Sequence, residues 1–353
     1  MQYLSKDFSI RDLAKECGNS VATASKALNG YNDISPKTRE LVIQTAQKHG
    51  YIPNNAAQNL KRLRSRNVVL LLRDPWHPFA QSIIITYNEV TKRKNYKLVI
   101  RYVNEEDLIV AALRAIKENK AAGIAILGDT IAGREKEVGR FGIPVILLEM
   151  DKQLDLDGID NASCFYINEI EESYRMTQYL IGKGAKEVAF FTTEVEGDKV
   201  GALRTRGYKM ALEDAGIPVD PARIVVVKDS YFRSGYEGVK DLLNKGVSFS
   251  ALLCTSDRVV LGGSRALYEN GILVPDDVIA AGFDGSDFTD YTVPTITAIN
   301  IPIRKMYQDS AEHLMERISG NAEPLHKCYS CKIEEKESTQ VTNRAGLLPS
   351  LDR

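Results

Sequence analysis

The sequence predicts a small all-α head followed by an α/β core of two doubly wound parallel-sheet subdomains, and three observations carry that expectation. The first fifty residues hold three short helical periodicities separated by turn signals. From Asn67 onward, apolar β-branched runs of strand length alternate with helical stretches. The charge is divided as well. Residues 1–66 carry 11 Lys+Arg against 5 Asp+Glu and the remainder 35 against 42, so a basic head precedes an acidic body within a net charge of −1. A chain of 353 residues also exceeds one ordinary core and calls for two or three domains.

The head is legible helix by helix. Ser9 reads as an N-cap with Asp12 three residues on, and Ile10, Leu13, Ala14 and Cys17 share one helical face. Gly18-Asn19 breaks that helix, Ser20 caps a second over Val21–Leu28, and Asn29-Gly30 stops it. Ser35-Pro36 opens a third, with Leu41, Val42, Thr45 and Ala46 as its inner face and Gly50 at its end. Two short helices joined by a tight Gly-containing turn, with a third in support, is helix-turn-helix geometry. The same geometry also serves as a purely structural module.

Residue types on the second helix add chemistry. Val21, Ala22, Ser25 and Lys26 fall on its outer, N-terminal part, while Ala24, Ala27 and Leu28 can pack inward. A helix entering the major groove needs short side chains near its start and then a donor for base edges. Val21 and Ala22 suit thymine methyls, Lys26 suits guanine, and Ser20, Thr23 and Ser25 suit phosphate oxygens. An ordinary polar helix face is the plainer alternative.

Ser9-Ile10-Arg11-Asp12-Leu13-Ala14 through Asn29-Gly30, then Ile34-Ser35-Pro36-Lys37-Thr38-Arg39 and Gly50-Tyr51-Ile52-Pro53-Asn54, resemble the head of the lactose/purine-repressor (LacI/GalR-type) family of bacterial transcriptional regulators in order, spacing and residue type. Asn19 departs from a usual valine, Ala24 and Ala27 are smaller than usual, and Lys26 stands where arginine is common. The resemblance implies a DNA-binding head over 1–53 and a repressor that binds a near-palindromic double-stranded operator. The candidate DNA contacts are Ser20, Val21, Ala22, Thr23, Ser25, Lys26, Asn29, Tyr51, Asn54, Ala57 and Leu60.

Residues 54–66 follow Pro53 as a hinge. Asn54 is a plausible cap, and Ala56, Ala57 and Leu60 lie on one face of a helix too short to persist alone, since isolated helices need roughly 12–15 residues. The resemblance implies that two such hinges pair in the minor groove and that Leu60 inserts as the wedge that kinks the duplex. A flexible linker is the alternative, and Lys61-Arg62-Leu63-Arg64-Ser65-Arg66 fits it too. Marginal stability would make the segment a switch, because any change in the separation of two cores decides whether the hinges can pair.

In the core, Val68–Leu72, Tyr96–Val103, Gly123–Leu127, Val145–Leu148 and Val188–Thr192 read as strands. Phe79–Lys94, a stretch near Asp107–Asn119, and Asn168–Gly182 read as helices. The resemblance implies subdomains of periplasmic-binding-protein type joined by three crossings, placed here near 164–168, 297–300 and 321–324. That gives an N-subdomain of about 67–166 and 300–322, a C-subdomain of about 167–298 and 323–341, and a tail over 342–353.

Ligands of such sheets bind beyond the carboxyl ends of the strands, hence in the cleft between the lobes. Arg73-Asp74-Pro75-Trp76-His77-Pro78-Phe79 resembles the family's Asp-x-x-Asn-Pro-Phe segment, with His77 replacing asparagine. Gly128-Asp129-Thr130 and Glu149-Met150-Asp151 follow the next strands of this lobe to bear on the cleft. Arg204, three residues before Gly207-Tyr208, matches the family's effector-holding arginine. Ser256-Asp257 and Gly282-Phe283-Asp284 match other cleft positions, with Ser256 where asparagine is usual, and Ser230-Tyr231 lies where an aromatic is common. The candidate effector contacts are Asp74, Trp76, Phe79, Asp129, Glu149, Arg204, Tyr231, Ser256 and Asp284. Carboxylates, a guanidinium and an aromatic face suit a polyhydroxylated ligand, a sugar. Plainer roles stay open: Trp76 as core, Arg204 as a surface ion pair, Asp284 as a turn cap, His77 as a loop residue.

Other classes find little support. No Gly-x-Ser-x-Gly elbow, phosphate loop or Gly-x-Gly-x-x-Gly follows a strand, and His49, His77, His313 and His326 stand apart from one another, so no enzyme is expected. Cys17, Cys164, Cys254, Cys328 and Cys331 read as free thiols; Cys328-Tyr329-Ser330-Cys331 lacks the second pair a zinc site needs, so no metal or cofactor is expected. The start of the chain shows no basic-then-apolar signal pattern, which leads us to expect a cytoplasmic protein and no membrane partner. A periplasmic sugar-binding protein shares the expected core but not the head. A third alternative keeps the DNA role under a phosphocarrier-protein corepressor. A homodimer is expected because each hinge needs a twin. The tail over 342–353 shows no heptads for a coiled-coil tetramer.

Overall fold

The computed structural model describes residues 10–28, 34–49, 66–73, 78–103, 107–128, 131–149, 154–197 and 199–341. It divides into two compact units, Met1–Arg64 and Ser65–Arg353. In the first, α1 (Ile10–Glu16), α2 (Val21–Leu28) and α3 (Pro36–Lys48) pack pairwise around Leu13, Ala14, Cys17, Ala24, Ala27, Val42 and Ala46. Leu41, expected on the inner face of α3, is 48% exposed. Val42 and Ala46, four apart, already form the buried stripe, and Leu41 sits about 100° around the helix from Val42.

The second unit contains two six-stranded sheets of the same design. The first runs β2 (Lys97–Tyr102), β1 (Asn67–Leu72), β3 (Gly123–Leu127), β4 (Val145–Leu148), β5 (Ala162–Ile167) and β11 (His326–Tyr329), all parallel. The second repeats the order with β7 (Ile224–Val226), β6 (Val188–Thr192), β8 (Ala251–Cys254), β9 (Ile279–Asp284), β10 (Thr297–Asn300) and β12 (Lys332–Glu334). Only β12 is antiparallel to its neighbour. Central strands such as Gly123-Ile124-Ala125-Ile126-Leu127 are buried at every residue, as parallel strands covered on both faces must be. The first sheet is covered by α4 (Ala80–Arg93), α5 (Leu108–Asn119) and the short α6 (Glu135–Val138), together with α11 (Ile303–Ser319) from much later in the chain. The second is covered by α7 (Glu169–Gly182), α8 (Val200–Asp214), α9 (Phe232–Asn244) and α10 (Asp257–Glu269).

Local chemistry sets the helix ends. Asp107 caps α5, accepting from Val110 N at 3.0 Å, and Lys120 closes that helix in the left-handed region at φ 48°. Asn168 caps α7 and Ser256 caps α10 in the same way. Two helix pairs touch backbone to backbone. A Cβ at Gly207 on α8 would lie 2.1 Å from Ile170 O, and one at Gly262 on α10 would lie 1.8 Å from Phe232 O.

The chain passes between the sheets three times. The first passage is at Asn168 and the second at 301–302, just after the expected 297–300. The third differs from expectation. His326–Tyr329 pairs with Cys164–Ile167 in the first sheet, so the return falls at Ser330-Cys331 and not near 321–324, and residues 323–329 belong to the N-terminal lobe. The expected break after α11 is a turn, ended by Gly320 at φ 77°, that feeds one more parallel edge strand of the same sheet.

Candidate functional site

In the head, the outer face of α2 is built by its cap. Ser20 Oγ accepts from Thr23 N at 3.0 Å and lies 2.9 Å from Thr23 Oγ1, so these two hydroxyls hold each other. Ser35 and Thr38 repeat the arrangement at the start of α3. Gly18 turns the chain at φ 61°, and Asn19 Nδ2 donates to Cys17 O at 2.8 Å, which gives the unusual Asn19 a role in closing the turn. Ala24 and Ala27 are buried, leaving Val21 (43% exposed) and Lys26 on the open side. Ala22 and Ser25 lie on the same helix. Glu16 ties α1 to α3 through Lys48 at 3.1 Å and His49 at 2.9 Å. Its carboxyl is held below the usual range, chiefly by the His49 and Lys48 hydrogen bonds. Asn29, Tyr51, Asn54, Ala57 and Leu60 lie outside the described residues.

In the core unit, a cavity of about 280 Å³ opens where the carboxyl ends of both sheets face each other. Each sheet reverses its strand order there, at β1/β3 and at β6/β8. Such switch points are where open α/β sheets take ligands. The lining draws on Phe79, Glu149, Arg204, Ser256 and Asp284, five of the nine expected effector residues. Asp74, Trp76 and Asp129 lie outside the described residues. Tyr231 is displaced from the expectation: it heads α9 with the Arg258 guanidinium 5.7 Å from its ring, and its neighbour Ser230 lines the cavity instead. The extended backbone at Tyr231 turns successive side chains to opposite sides.

Arg204 is the centre of the site. At 5% exposure it is no surface ion pair. Its Nε donates to Glu169 Oε2 at 2.7 Å and its Nη1 to Thr255 O at 2.6 Å. Asp284 Oδ1 stands 3.9 Å from the same Nη1, and the guanidinium carbon lies 3.6 Å from the Phe283 ring centroid. Burial works against the guanidinium charge, but the Glu169 and Asp284 carboxylates more than offset it and raise its pKa. Burial pushes the Glu169 carboxyl up while Arg204 pulls it back. Sequence reasoning missed Glu169. It sits 35 residues before Arg204, in the first turn of α7, where an acid reads as ordinary helix-end chemistry.

The other two acids are strained. Glu149 (φ 55°) and Asp284 (φ 116°) occupy the left-handed region at the ends of β4 and β9, a conformation that costs non-glycine residues of order 1–3 kcal/mol and clusters at functional sites. Glu149 accepts from the hydroxyl of the buried Tyr307. Asp284 accepts from Asp257 N at 3.4 Å, and Gly285 (φ 74°) follows because a Cβ there would meet Asn300 Cα at 2.6 Å. Behind Asp284, Asp257 is fully buried, with Oδ2 accepting from Ser286 N at 2.6 Å and Oδ1 without a hydrogen-bond partner among the described residues. Burial, then the Asp284 charge, pushes the Asp257 carboxyl well above the usual range. Asp284 is therefore more than a turn cap. Among the described residues no group of three or more His, Cys, Asp or Glu could hold a metal, and no helix is long and apolar enough to cross a membrane.

A helix-turn-helix unit and a two-lobed core with a cleft at its switch points define the class of DNA-binding transcriptional regulators built on a periplasmic-binding-protein-like core. The family described as bacterial regulatory proteins, lacI family, matches residues 9–54, and the periplasmic binding protein-like domain matches residues 177–339. A LacI-type DNA-binding domain thus precedes a periplasmic-binding-protein-like domain, and the chain is similar over most of its length to HTH-type transcriptional regulators. It is 29% identical to the HTH-type transcriptional regulator MalR of Clostridium butyricum over 93% of this chain and 98% of that one. In fold it is similar to the transcriptional regulator CelR in complex with cellobiose (TM-score 0.67, 23% identity, 94% of this chain and 99% of that one). It is likewise similar to the lac repressor dimer bound to operator and an anti-inducer (TM-score 0.66, 20% identity, 95% and 99%). The curated relatives are transcriptional regulators, not enzymes.

Proposed function

We propose that this chain is a sequence-specific repressor that acts as a homodimer and whose operator affinity is set by a small polyhydroxylated molecule, a sugar, held in the cleft. The observation that carries the reading is the cavity at the two switch points, where one buried guanidinium and the carboxylates of Glu149, Glu169 and Asp284 converge beside Phe79. That set makes paired hydrogen bonds to vicinal hydroxyls and offers an apolar face to a ring. At about 280 Å³ the cavity lies near the low end for small-molecule sites, which favours a compact sugar. The cellobiose complex of CelR supports the same class of effector.

Ser20, Val21, Ala22, Thr23, Ser25 and Lys26 would then meet DNA from α2, with Asn29, Tyr51, Asn54 and Ala57 alongside and Leu60 as the minor-groove wedge. Lobe closure on the ligand would change the spacing of two hinges and so their ability to pair, a population shift between binding-competent and incompetent forms. The C-terminal lobe offers a dimer face: Phe232, Tyr236 and Leu261 line an exposed apolar groove on α9 and α10. The test is direct. An operator selected from random duplexes is titrated with the protein in the presence of a panel of mono- and disaccharides. At least one sugar should shift the operator Kd severalfold, and operator affinity unmoved by every sugar would overturn the reading.

A further inference from the structure

We infer that Glu169 acts as a charge filter in the cleft, occupying Arg204 so that the site takes uncharged ligands and turns away phosphorylated or carboxylated ones. The inference rests on the effector-site reading and narrows its ligand class. A buried guanidinium is by itself a recogniser of phosphate and carboxylate, because its planar fork matches two anionic oxygens. In this cleft two of the fork's three nitrogens are already engaged. Glu169 Oε2 takes Nε at 2.7 Å, Thr255 O takes Nη1 at 2.6 Å, and Asp284 flanks the same nitrogen at 3.9 Å. Glu169 is itself 7% exposed and lines the cavity, so its charge sits where a ligand would. Among the described lining residues two cations, Arg73 and Arg204, face three carboxylates, Glu149, Glu169 and Asp284. An anion taking both of its oxygens onto the fork would have to displace Glu169 from Nε or Thr255 O from Nη1, while approaching the cavity's other carboxylates. A neutral sugar meets no such cost. It can donate hydroxyls to the carboxylates without breaking the pair.

The experiment uses the full-length protein and inorganic phosphate as probe, read by thermal shift and calorimetry at constant ionic strength. Wild type should show no phosphate-specific rise in Tm. Glu169→Gln keeps an oxygen acceptor for Arg204 Nε but removes the charge, and should gain phosphate affinity by about tenfold or more. Glu169→Gln/Arg204→Gln should lose that gain, which a merely structural role for Glu169 would not produce. Phosphate binding to wild type as tight as to the single variant overturns the filter, and so does a single variant that gains nothing. Should Glu169→Gln fail to fold, wild type decides through pairs of sugars and their phosphates: a sugar phosphate bound more tightly than its parent sugar overturns it. The two readings fail separately. A panel in which no sugar binds sinks the effector reading, whereas a phosphorylated sugar as the tightest ligand sinks only the filter.

Discussion

At the scale of single residues, the Arg204–Glu169 pair is a liability that persists for what it does. Buried ion pairs contribute little net stability, yet removing one partner strands the other charge, at about 3–5 kcal/mol. Arg204→Gln should therefore destabilise the core by roughly that amount, whereas Arg204→Gln/Glu169→Gln should cost markedly less than the single change. Urea melts of the three proteins check this, and additive losses would mean that the pair is not coupled. Arg204 and Asp284 are legible in the sequence only because their segments resemble the family's cleft segments; Glu169 is not, because only the packing of α7 on α8 brings it to the arginine. His313 gives a second case. It reads as isolated, but the fold buries it with Nε2 3.0 Å from Ser163 Oγ and its ring beside Phe165. Burial, then Arg317, lowers its pKa, so the folded state holds the proton less well than the unfolded chain. Its contribution is complete above the ordinary histidine value of about 6.5 and is lost as pH falls through the folded value. Wild type should lose stability more steeply than His313→Asn as pH falls from neutrality through the histidine range, in thermal melts at matched ionic strength.

At the scale of elements, what the sequence exposes is governed by repetition. Strands β1, β3, β4 and β6 are runs of buried aliphatic and aromatic residues, and the helices between them carry apolar faces, so both lobes can be read before any coordinates. The third crossing could not be read. β11 and β12 span only four and three residues, are largely exposed or half-buried, and carry no alternation to distinguish one sheet's edge from the other's. The close helix contacts were equally hidden, since a glycine inside a helix does not announce what lies opposite. They carry a prediction of opposite signs. Gly262→Ala must push α10 away from Phe232 O and should destabilise by about 2–4 kcal/mol. Gly182→Ala, near the end of α7 with open space at the Cβ position, should stabilise by about 0.5–1 kcal/mol. Chemical denaturation of the two variants decides, and equal effects would refute the claim that the glycine at 262 is there for backbone contact.

At the scale of the whole molecule, the proposed switch works only if two chains act together. A helix as short as the one expected within residues 54–66 cannot persist alone, and a two-fold dimer reads half-sites about one helical turn apart. Two substitutions separate the parts of that argument. Phe232→Asp places a charge in the groove of α9 and α10 at a residue 45% exposed, whose ring otherwise meets the half-buried Phe288. Leu60→Ala removes the apolar wedge and leaves the groove intact. Both should weaken binding to a selected operator, by different routes. The Phe232→Asp protein should sediment as a monomer at micromolar concentration, and its deficit should shrink as concentration rises, by mass action. The Leu60→Ala protein should stay dimeric and lose specific affinity by about tenfold or more at every concentration, while its binding to random duplexes holds, because phosphate contacts supply that affinity. A Phe232→Asp protein that remains a tight dimer with full operator affinity removes this face from the assembly. Equal losses of Leu60→Ala on selected and random DNA remove the wedge and return residues 54–66 to a passive tether.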